Sequence, residues 1–262
     1  MKRAVLMNRA KSKYQYLNHP AISARYFFPR AKSASRSFQI QSQGETLECL
    51  RYIIDPAKPT LLHFHGNGEI VADYEGEIAN AFLKCGLNIV FAEYRGYGGS
   101  SGTPLLGEML EDTDAIVKAI QVPPENIFVF GRSVGSIYAI ETARRYPEIA
   151  GLILESGIAA PLQRLLLRVT PEELGTTIDD FKDEVERYLN HKKALNNHTR
   201  PTLILHARND DLVTLEHAQH NYDWIQAPSK KLHIFERGDH NSIMFENWTE
   251  YFELVADFIK DA

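Results

Sequence analysis

The chain of 262 residues has little cysteine, no acidic residue among its first 44 positions, and no long apolar run. No stretch approaches the roughly 20 apolar residues that a membrane-spanning helix needs. Cys49 and Cys85 are too few for a disulfide framework or a thiolate zinc site. The N-terminus also lacks the apolar stretch of a secretory signal, so we expect a cytoplasmic protein.

The composition is that of an ordinary globular protein, with 44% hydrophobic and 24% charged residues. This excludes a disordered, collagen-like or low-complexity chain. A chain of this length can bury a large core, and it shows neither an internal repeat nor a linker rich in glycine and serine. We therefore expect one folded domain, over residues 37–262, preceded by an N-terminal arm over residues 1–36.

The arm is strongly basic. Nine of the 29 lysines and arginines lie in the first 44 residues, which leaves 20 against 34 acidic residues in the remainder. The simplest interpretation is an extension that packs back on the acidic body. The alternative is a docking segment for anionic lipid, helped by the apolar Ala4, Val5, Leu6 and Met7, or for nucleic acid. No aromatic-interleaved nucleic-acid motif accompanies the charges, so we expect no nucleic-acid partner.

Eight short apolar or alternating runs predict eight β-strands. The first two, separated by Gly44, suggest an antiparallel pair, and most of the others are apolar throughout, as in strands covered on both faces. Helical patterns alternate with them, which predicts an α/β fold with a mostly parallel eight-stranded sheet flanked by helices on both faces. The runs are Ser37–Gln43, Leu47–Ile54, Thr60–His65, Asn88–Glu93, Asn126–Gly131, Gly151–Glu155, Pro201–His206 and Lys231–Glu236.

Two parts of the helical pattern carry specific expectations. Apolar residues with a 3.6-residue period predict helices over Ile70–Cys85, Met109–Ile120 and Trp248–Ile259. About 45 residues separate the strand that ends at Glu155 from the next, which is too long for a simple crossover. This insertion, residues 157–200, contains an acidic helix and is interpreted as a small lid or, equally well, as a plain surface helix.

The sharpest motif is Gly131-Arg132-Ser133-Val134-Gly135, between a predicted strand and a predicted helix. A tight strand-to-helix turn with glycines on both sides is the setting of a nucleophilic serine. The alternative is a structural Gly-Ser turn. A serine hydroxyl also needs a base that is oriented by a third group.

Candidates for the base and the acid follow in the expected order. Asp210 and Asp211 lie just after one predicted strand, and His240 lies after the last, beside Gly238. His240 is the candidate general base. The two aspartates are adjacent and point in different directions, so only one of them can orient the imidazole.

Two backbone N–H groups are candidates for an oxyanion hole. One belongs to Val134, immediately after the serine, and the other to Asn67, in the glycine-rich loop that follows His63 and His65. The alternative interpretation of the histidine pairs at positions 63 and 65 and at positions 217 and 220 is metal binding. Neither pair has a third ligand within reach by sequence, so we expect no metal and no cofactor.

Together these segments resemble the α/β-hydrolase family over residues 38–260. The His63-Phe-His-Gly-Asn-Gly68 and Glu93-Tyr-Arg-Gly-Tyr-Gly98 segments resemble the Bem46-like serine hydrolases, which include the α/β-hydrolase domain-containing types 13 and 17. The resemblance implies Ser133 as nucleophile, His240 as base, and an oxyanion hole from Asn67 and Val134. The family pattern His-Gly-x-x-Asp-x-x-Val aligns on 206–213, which selects Asp210. Ala207, Glu93 and Thr214 depart from the usual residues at their positions.

The resemblance implies a serine hydrolase that acts on small-molecule carboxylic esters or related acyl compounds. Thioesters of lipidated proteins and peptides are alternative substrates, and a non-catalytic binding protein of the same fold is the alternative from another class. Family members that deacylate lipidated proteins carry an N-terminal cysteine cluster. No cysteine precedes Cys49, so we expect that activity less.

Overall fold

The computed structural model describes residues 13–262, and its centre is a sheet of eight strands. The strand order is β1-β2-β4-β3-β5-β6-β7-β8. Strands β1, β2 and β4 pair antiparallel, and every pairing from β4 to β8 is parallel. The predicted mostly parallel sheet is therefore confirmed. The strands are β1 Ser37–Ser42, β2 Glu45–Tyr52, β3 Thr60–Phe64, β4 Asn88–Ala92, β5 Ile127–Arg132, β6 Gly151–Glu155, β7 Thr202–Ala207 and β8 Lys230–Phe235.

Helices cover both faces of the sheet. Successive side chains of a strand point to opposite faces, so Leu61 and Leu62 of β3 enter two different hydrophobic clusters. Helices α3, α4 and α8 contribute to the larger cluster, and α2 and α10 contribute to the smaller one. The helices are α2 Glu77–Lys84, α3 Leu106–Ile120, α4 Gly135–Arg145, α8 Leu215–Trp224, α9 Ile243–Glu246 and α10 Trp248–Asp261.

The helix expected over Ile70–Cys85 is shorter than its apolar period indicates. Val71–Tyr74 forms a separate 3-10 turn, and the backbone N–H of Val71 donates to the Glu93 carboxylate at 2.9 Å. Gly76 then adopts a φ of +79°, which a regular helix does not accommodate. Helix α2 begins only at Glu77 because of this break.

The insertion over residues 157–200 folds into three short helices, α5 Pro161–Leu166, α6 Ile178–Tyr188 and α7 His191–Asn196. The acidic helix is α6, which buries Phe181 and Val185. The Glu184 side chain of α6 accepts hydrogen bonds from backbone N–H groups of residues 15–17. The acidic helix therefore holds the N-terminal segment of the chain.

Residues 13–36 pack on the acidic body, as in the simpler interpretation of the basic arm. Helix α1, Pro20–Tyr26, and the residues before and after it bury Leu17, Ile22 and Phe27. Their basic side chains pair with the body in three ion pairs: Lys13–Glu111 at 2.6 Å, Arg25–Glu173 at 2.6 Å and Arg30–Asp73 at 2.5 Å. The boundary at residue 36 stays a prediction.

The apolar residues Ala4–Met7 lie outside the described part of the chain. Among the helices of residues 13–262, none combines the length and the apolar character that crossing a membrane requires.

Candidate active site

Ser133 lies in the sharp turn between β5 and α4. Its φ is +51°, a region that residues other than glycine rarely adopt. A Cβ at Gly131 would lie 2.6 Å from the Ala139 Cβ, and one at Gly135 would lie 2.2 Å from the Phe64 carbonyl oxygen. The strand and the helix therefore approach so closely that neither position has room for a side chain.

Ser133, His240 and Asp210 form a continuous chain of hydrogen bonds. The Ser133 Oγ lies 2.9 Å from the His240 Nε2, and the His240 Nδ1 lies 2.8 Å from the Asp210 Oδ2. All three residues are more than nine-tenths buried. They follow β5, β8 and β7, whose parallel arrangement brings their carboxyl ends to one edge of the sheet.

The geometry distinguishes between the two adjacent aspartates. The Asp210 Oδ1 accepts backbone N–H groups from Leu212 at 3.0 Å and Val213 at 2.7 Å, while its Oδ2 faces His240. Burial alone raises the pKa of Asp210, but His240 and the Val213 N–H outweigh it, so the pKa lies below its ordinary value. Asp211 is exposed and has no contact with His240.

The backbone amides of Asn67 and Val134 are both available at the same site. Both residues line the cavity that contains Ser133 and His240. Within residues 13–262, neither of these N–H groups donates to a protein acceptor. Both N–H groups therefore remain candidates for an oxyanion hole.

The Asn67 side chain fixes its loop to the N-terminal segment. Its amide nitrogen donates to the Tyr26 carbonyl, and its Oδ1 accepts the Phe28 N–H at 3.0 Å and the Tyr97 hydroxyl at 2.8 Å. Tyr94 is also buried, and its hydroxyl donates to the His65 carbonyl at 2.7 Å. Tyr94 and Tyr97 therefore support the loop from within the protein and do not line the cavity.

The histidines considered as metal ligands have other surroundings. His65 Nε2 lies 2.7 Å from the Glu93 carboxylate, whose charge outweighs burial and raises the pKa of His65. His63 stacks on Phe130, and burial lowers its pKa. His217 accepts the Ala159 N–H, while the His220 ring stacks on that of Trp224. No cluster of three metal-ligating side chains occurs among the described residues.

Arg132, whose importance the sequence analysis missed, joins two parts of the site. Its guanidinium pairs with Glu69 and with Glu155, the latter at 3.0 Å, and donates to the His240 carbonyl at 2.7 Å. Glu69 in turn accepts the Gly66 N–H at 2.7 Å. The signal available in the sequence was an arginine at the end of an apolar strand, because a buried guanidinium must be paired.

The cavity above Ser133 has a volume of about 150 Å³. Besides Ser133, His240, Asn67, Val134 and Arg132, its lining comes from Tyr26 and Phe28 of the arm, from the loops after β6, β7 and β8, and from α5 and the turn after it. The acidic helix α6 does not contribute. The part of the insertion that covers the serine is therefore α5 with its flanking residues, and no sequence pattern indicated Tyr26 and Phe28.

Known proteins resemble the chain in sequence and in fold. The family model of serine aminopeptidase S33 matches residues 55–182. Alpha/beta hydrolase domain-containing protein 17B of Homo sapiens is 28% identical over 236 residues, 88% of this chain and 77% of that protein. The 17C protein of Xenopus laevis is 30% identical over 226 residues, 83% of this chain and 67% of that protein.

The fold comparison agrees with the sequence comparison. An esterase of Pyrococcus furiosus superimposes with a TM-score of 0.70 at 20% identity, over 89% of this chain and 98% of the esterase. The chain belongs to the α/β-hydrolase family. The two relatives compared above are of the domain-containing 17 type, one of the two types that the His-Gly-Asn and Tyr-Arg-Gly-Tyr-Gly segments suggested.

Proposed function

We propose that the chain is a serine hydrolase that cleaves carboxylic esters or related acyl compounds through an acyl-enzyme on Ser133. The observation that carries the proposal is the hydrogen-bonded series from Ser133 through His240 to Asp210, at 2.9 and 2.8 Å. These distances lie within the range over which a base takes the proton of a nucleophile. The strained φ of Ser133 and its position at the strand-to-helix turn support the same role.

In the first half of the reaction, the Ser133 Oγ attacks the carbonyl carbon of the ester while the His240 Nε2 accepts the hydroxyl proton. The oxyanion of the tetrahedral intermediate is held by the amides of Asn67 and Val134. The intermediate collapses to the acyl-enzyme as the bond to the leaving alcohol breaks, and His240 returns the proton to that alcohol. Asp210 keeps the imidazole oriented and stabilises its cationic form.

In the second half, water replaces the alcohol. His240 accepts a proton from the water, whose oxygen attacks the acyl carbonyl. The second tetrahedral intermediate releases the carboxylic acid as Ser133 regains its proton from His240. The same steps apply to a thioester, with a thiol as the leaving group.

The lining of the cavity favours an acyl substrate over the free amino terminus of a peptide. An aminopeptidase needs an acceptor for a protonated amine, and among the described residues that line the cavity none is acidic. The arginines of the lining would repel that amine. Ester or thioester hydrolysis therefore agrees better with the cavity than aminopeptidase activity does.

Covalent labelling with a fluorophosphonate probe tests the proposal. The wild-type protein is expected to label, and Ser133→Ala is expected to lose both labelling and ester hydrolysis. Ser136→Ala is a nearby control that is expected to keep the labelling. The Ser136 hydroxyl donates to the Ser133 carbonyl at 2.6 Å, so it is not the group that reacts with the probe. Labelling that persists in Ser133→Ala, or no labelling of the folded wild type, would contradict the proposal.

A further inference from the structure

Two arginines of the insertion, Arg164 and Arg168, line the cavity that contains Ser133. Arg164 lies on α5, and Arg168 lies just beyond its end. No acidic side chain in the described part of the chain pairs with either guanidinium. Arg168 lies over the exposed Phe28 ring at 5.9 Å, so it remains free to bind an anion.

Arg164 is the less exposed of the two. Its residue is only partly accessible, and its Nε is fully buried without a hydrogen-bond acceptor. A buried donor without an acceptor destabilises the folded protein, and such groups in native structures usually have a ligand or a water as partner. Arg164 therefore lies in the wall of the cavity with neither an acidic partner nor an acceptor for its Nε, which makes its guanidinium a candidate binding group.

The third arginine of the lining provides a contrast. Arg132 is balanced by Glu69 and Glu155, so its charge is already neutralised. The Asp210 carboxylate is occupied by His240 and by two backbone amides. The side of the cavity formed by α5 therefore carries an excess of positive charge. Burial lowers the pKa of His217, and the charge of Arg164 lowers it further.

The rest of the lining limits the size of the ligand. Ile158, Leu212 and Val213 provide apolar surface, and a volume of about 150 Å³ corresponds to roughly five water molecules. A guanidinium binds a carboxylate with two parallel hydrogen bonds. We propose, on the basis of the proposed serine hydrolase activity, that Arg164 with help from Arg168 binds a carboxylate of the substrate, so that short esters with a free carboxylate are preferred.

The test compares ethyl hydrogen glutarate with its neutral counterpart, in which a carboxamide replaces the free carboxylate. We expect the wild type to show the higher kcat/KM for the charged ester. Arg164→Gln should reduce the ratio of the two kcat/KM values by about 10- to 100-fold, mostly through KM, because a charge-assisted hydrogen bond is lost. Arg168→Gln should reduce it less, because Arg168 is exposed.

Arg187→Gln is the matched control. Arg187 is an exposed arginine of α6 that lies outside the lining of the cavity, so this change should leave the ratio as it is in the wild type. Equal kcat/KM values for the two esters in the wild type would overturn the carboxylate site. An unchanged ratio in Arg164→Gln would overturn it as well.

These outcomes are separate from a failure of the proposed function. Hydrolysis of both esters without preference refutes the carboxylate site and leaves the serine hydrolase intact. If neither ester is hydrolysed and the probe does not label Ser133, the proposed function fails. Calorimetric binding of glutarate then decides the carboxylate site: binding that Arg164→Gln abolishes supports it, and no binding by the wild type refutes it.

Discussion

At the residue scale, the site consists of polar side chains that are buried and held by contacts from distant parts of the chain. The Asp210 carboxylate accepts a hydrogen bond from the backbone N–H of Val213, which holds it in place. Its other oxygen lies beside the His240 Nδ1 and orients the imidazole. Arg132 contacts the His240 carbonyl and, through Glu69, the loop that contains Asn67. Each of these contacts has a consequence that a single substitution tests.

Asp210→Asn is expected to lower kcat by about 10⁴-fold while the protein remains folded, because the wrong imidazole tautomer is then favoured. Steady-state hydrolysis of a short ester measures the effect. Asp211→Asn is the matched control and should retain activity close to that of the wild type, because Asp211 is exposed. A loss of activity confined to Asp211→Asn would reverse the assignment of the acid.

Arg132→Met is expected to lower the free energy of unfolding at neutral pH by about 3–5 kcal/mol, because it leaves the buried Glu155 and the partly buried Glu69 without a cationic partner. In the wild type, burial raises the pKa of the Glu155 and Glu69 carboxyls, and the charge of Arg132 lowers it. The pKa of Glu155 remains above its ordinary value, and that of Glu69 lies below it. Without the arginine, the pKa of each of these carboxyls in the folded protein rises, because the positive charge that lowered it is gone. Protonation then stabilises the folded variant, so the loss should be smaller at pH 5 than at pH 7.5.

Urea unfolding at the two pH values measures this dependence. Arg208→Met serves as the control, since the Arg208–Glu236 pair is exposed and its loss should change the free energy of unfolding far less than the loss of Arg132 does. An equal loss for the two variants would show that the Arg132 pairs are not buried in solution.

At the scale of elements, the N-terminal segment is a structural part of the site. Tyr26 and Phe28 hold the Asn67 side chain through their backbone carbonyl and N–H groups, and both residues line the cavity. Their position depends on α1, whose apolar side chains pack in the same hydrophobic cluster as α3 and α4. The loop that carries the Asn67 amide is therefore positioned by an element outside the α/β alternation.

Ile22→Ala tests whether α1 is part of the folded unit. Ile22 is completely buried, so its truncation should lower the free energy of unfolding by about 2–5 kcal/mol. Ile54→Ala makes the same chemical change at a position that is 51% exposed, and its effect should stay within about 0.5 kcal/mol. Chemical denaturation of both variants gives the comparison, and equal small effects would contradict the packing of the segment.

At the scale of the whole molecule, the distribution of charge and the burial of histidines determine how stability depends on pH. His191 and His198 are both buried, and burial lowers the pKa of each to about 4. In the unfolded chain a histidine titrates near 6.5. Between pH 6.5 and 4 the unfolded state therefore binds more protons than the folded one, and stability falls as the pH falls through this range.

His198→Gln is expected to make this dependence shallower. One histidine that titrates only in the unfolded state contributes a slope approaching about 1.4 kcal/mol per pH unit. The free energy of unfolding, measured by urea denaturation between pH 7 and pH 4.5, should decrease less steeply in the variant than in the wild type. His220→Gln, at a partly exposed position, is the control and should change the slope less than His198→Gln does, whereas equal slopes in all three proteins would disprove the role of His198.

Local patterns in the amino-acid sequence were enough to predict the strands and the turn that carries Ser133. Continuous apolar runs placed the eight strands, and glycines on both sides of Ser133 identified a turn in which a side chain has no space. The order of serine, acid and histidine placed their loops at one edge of the sheet. The helical period overestimated α2, because the left-handed φ of Gly76 interrupts a pattern that is otherwise continuous.

The fold was needed to show which residues meet across long sequence distances. The family resemblance implied Asp210 as the acid, and the structure gives the reason, because the loop after β7 turns this carboxylate toward His240. The pairing of Arg132 with Glu69, its contact with the His240 carbonyl and the contact of the N-terminal segment with Asn67 each join residues about 40 or more positions apart. The same holds for the positive charge of the cavity, since it depends on which arginines the fold leaves without an acidic partner.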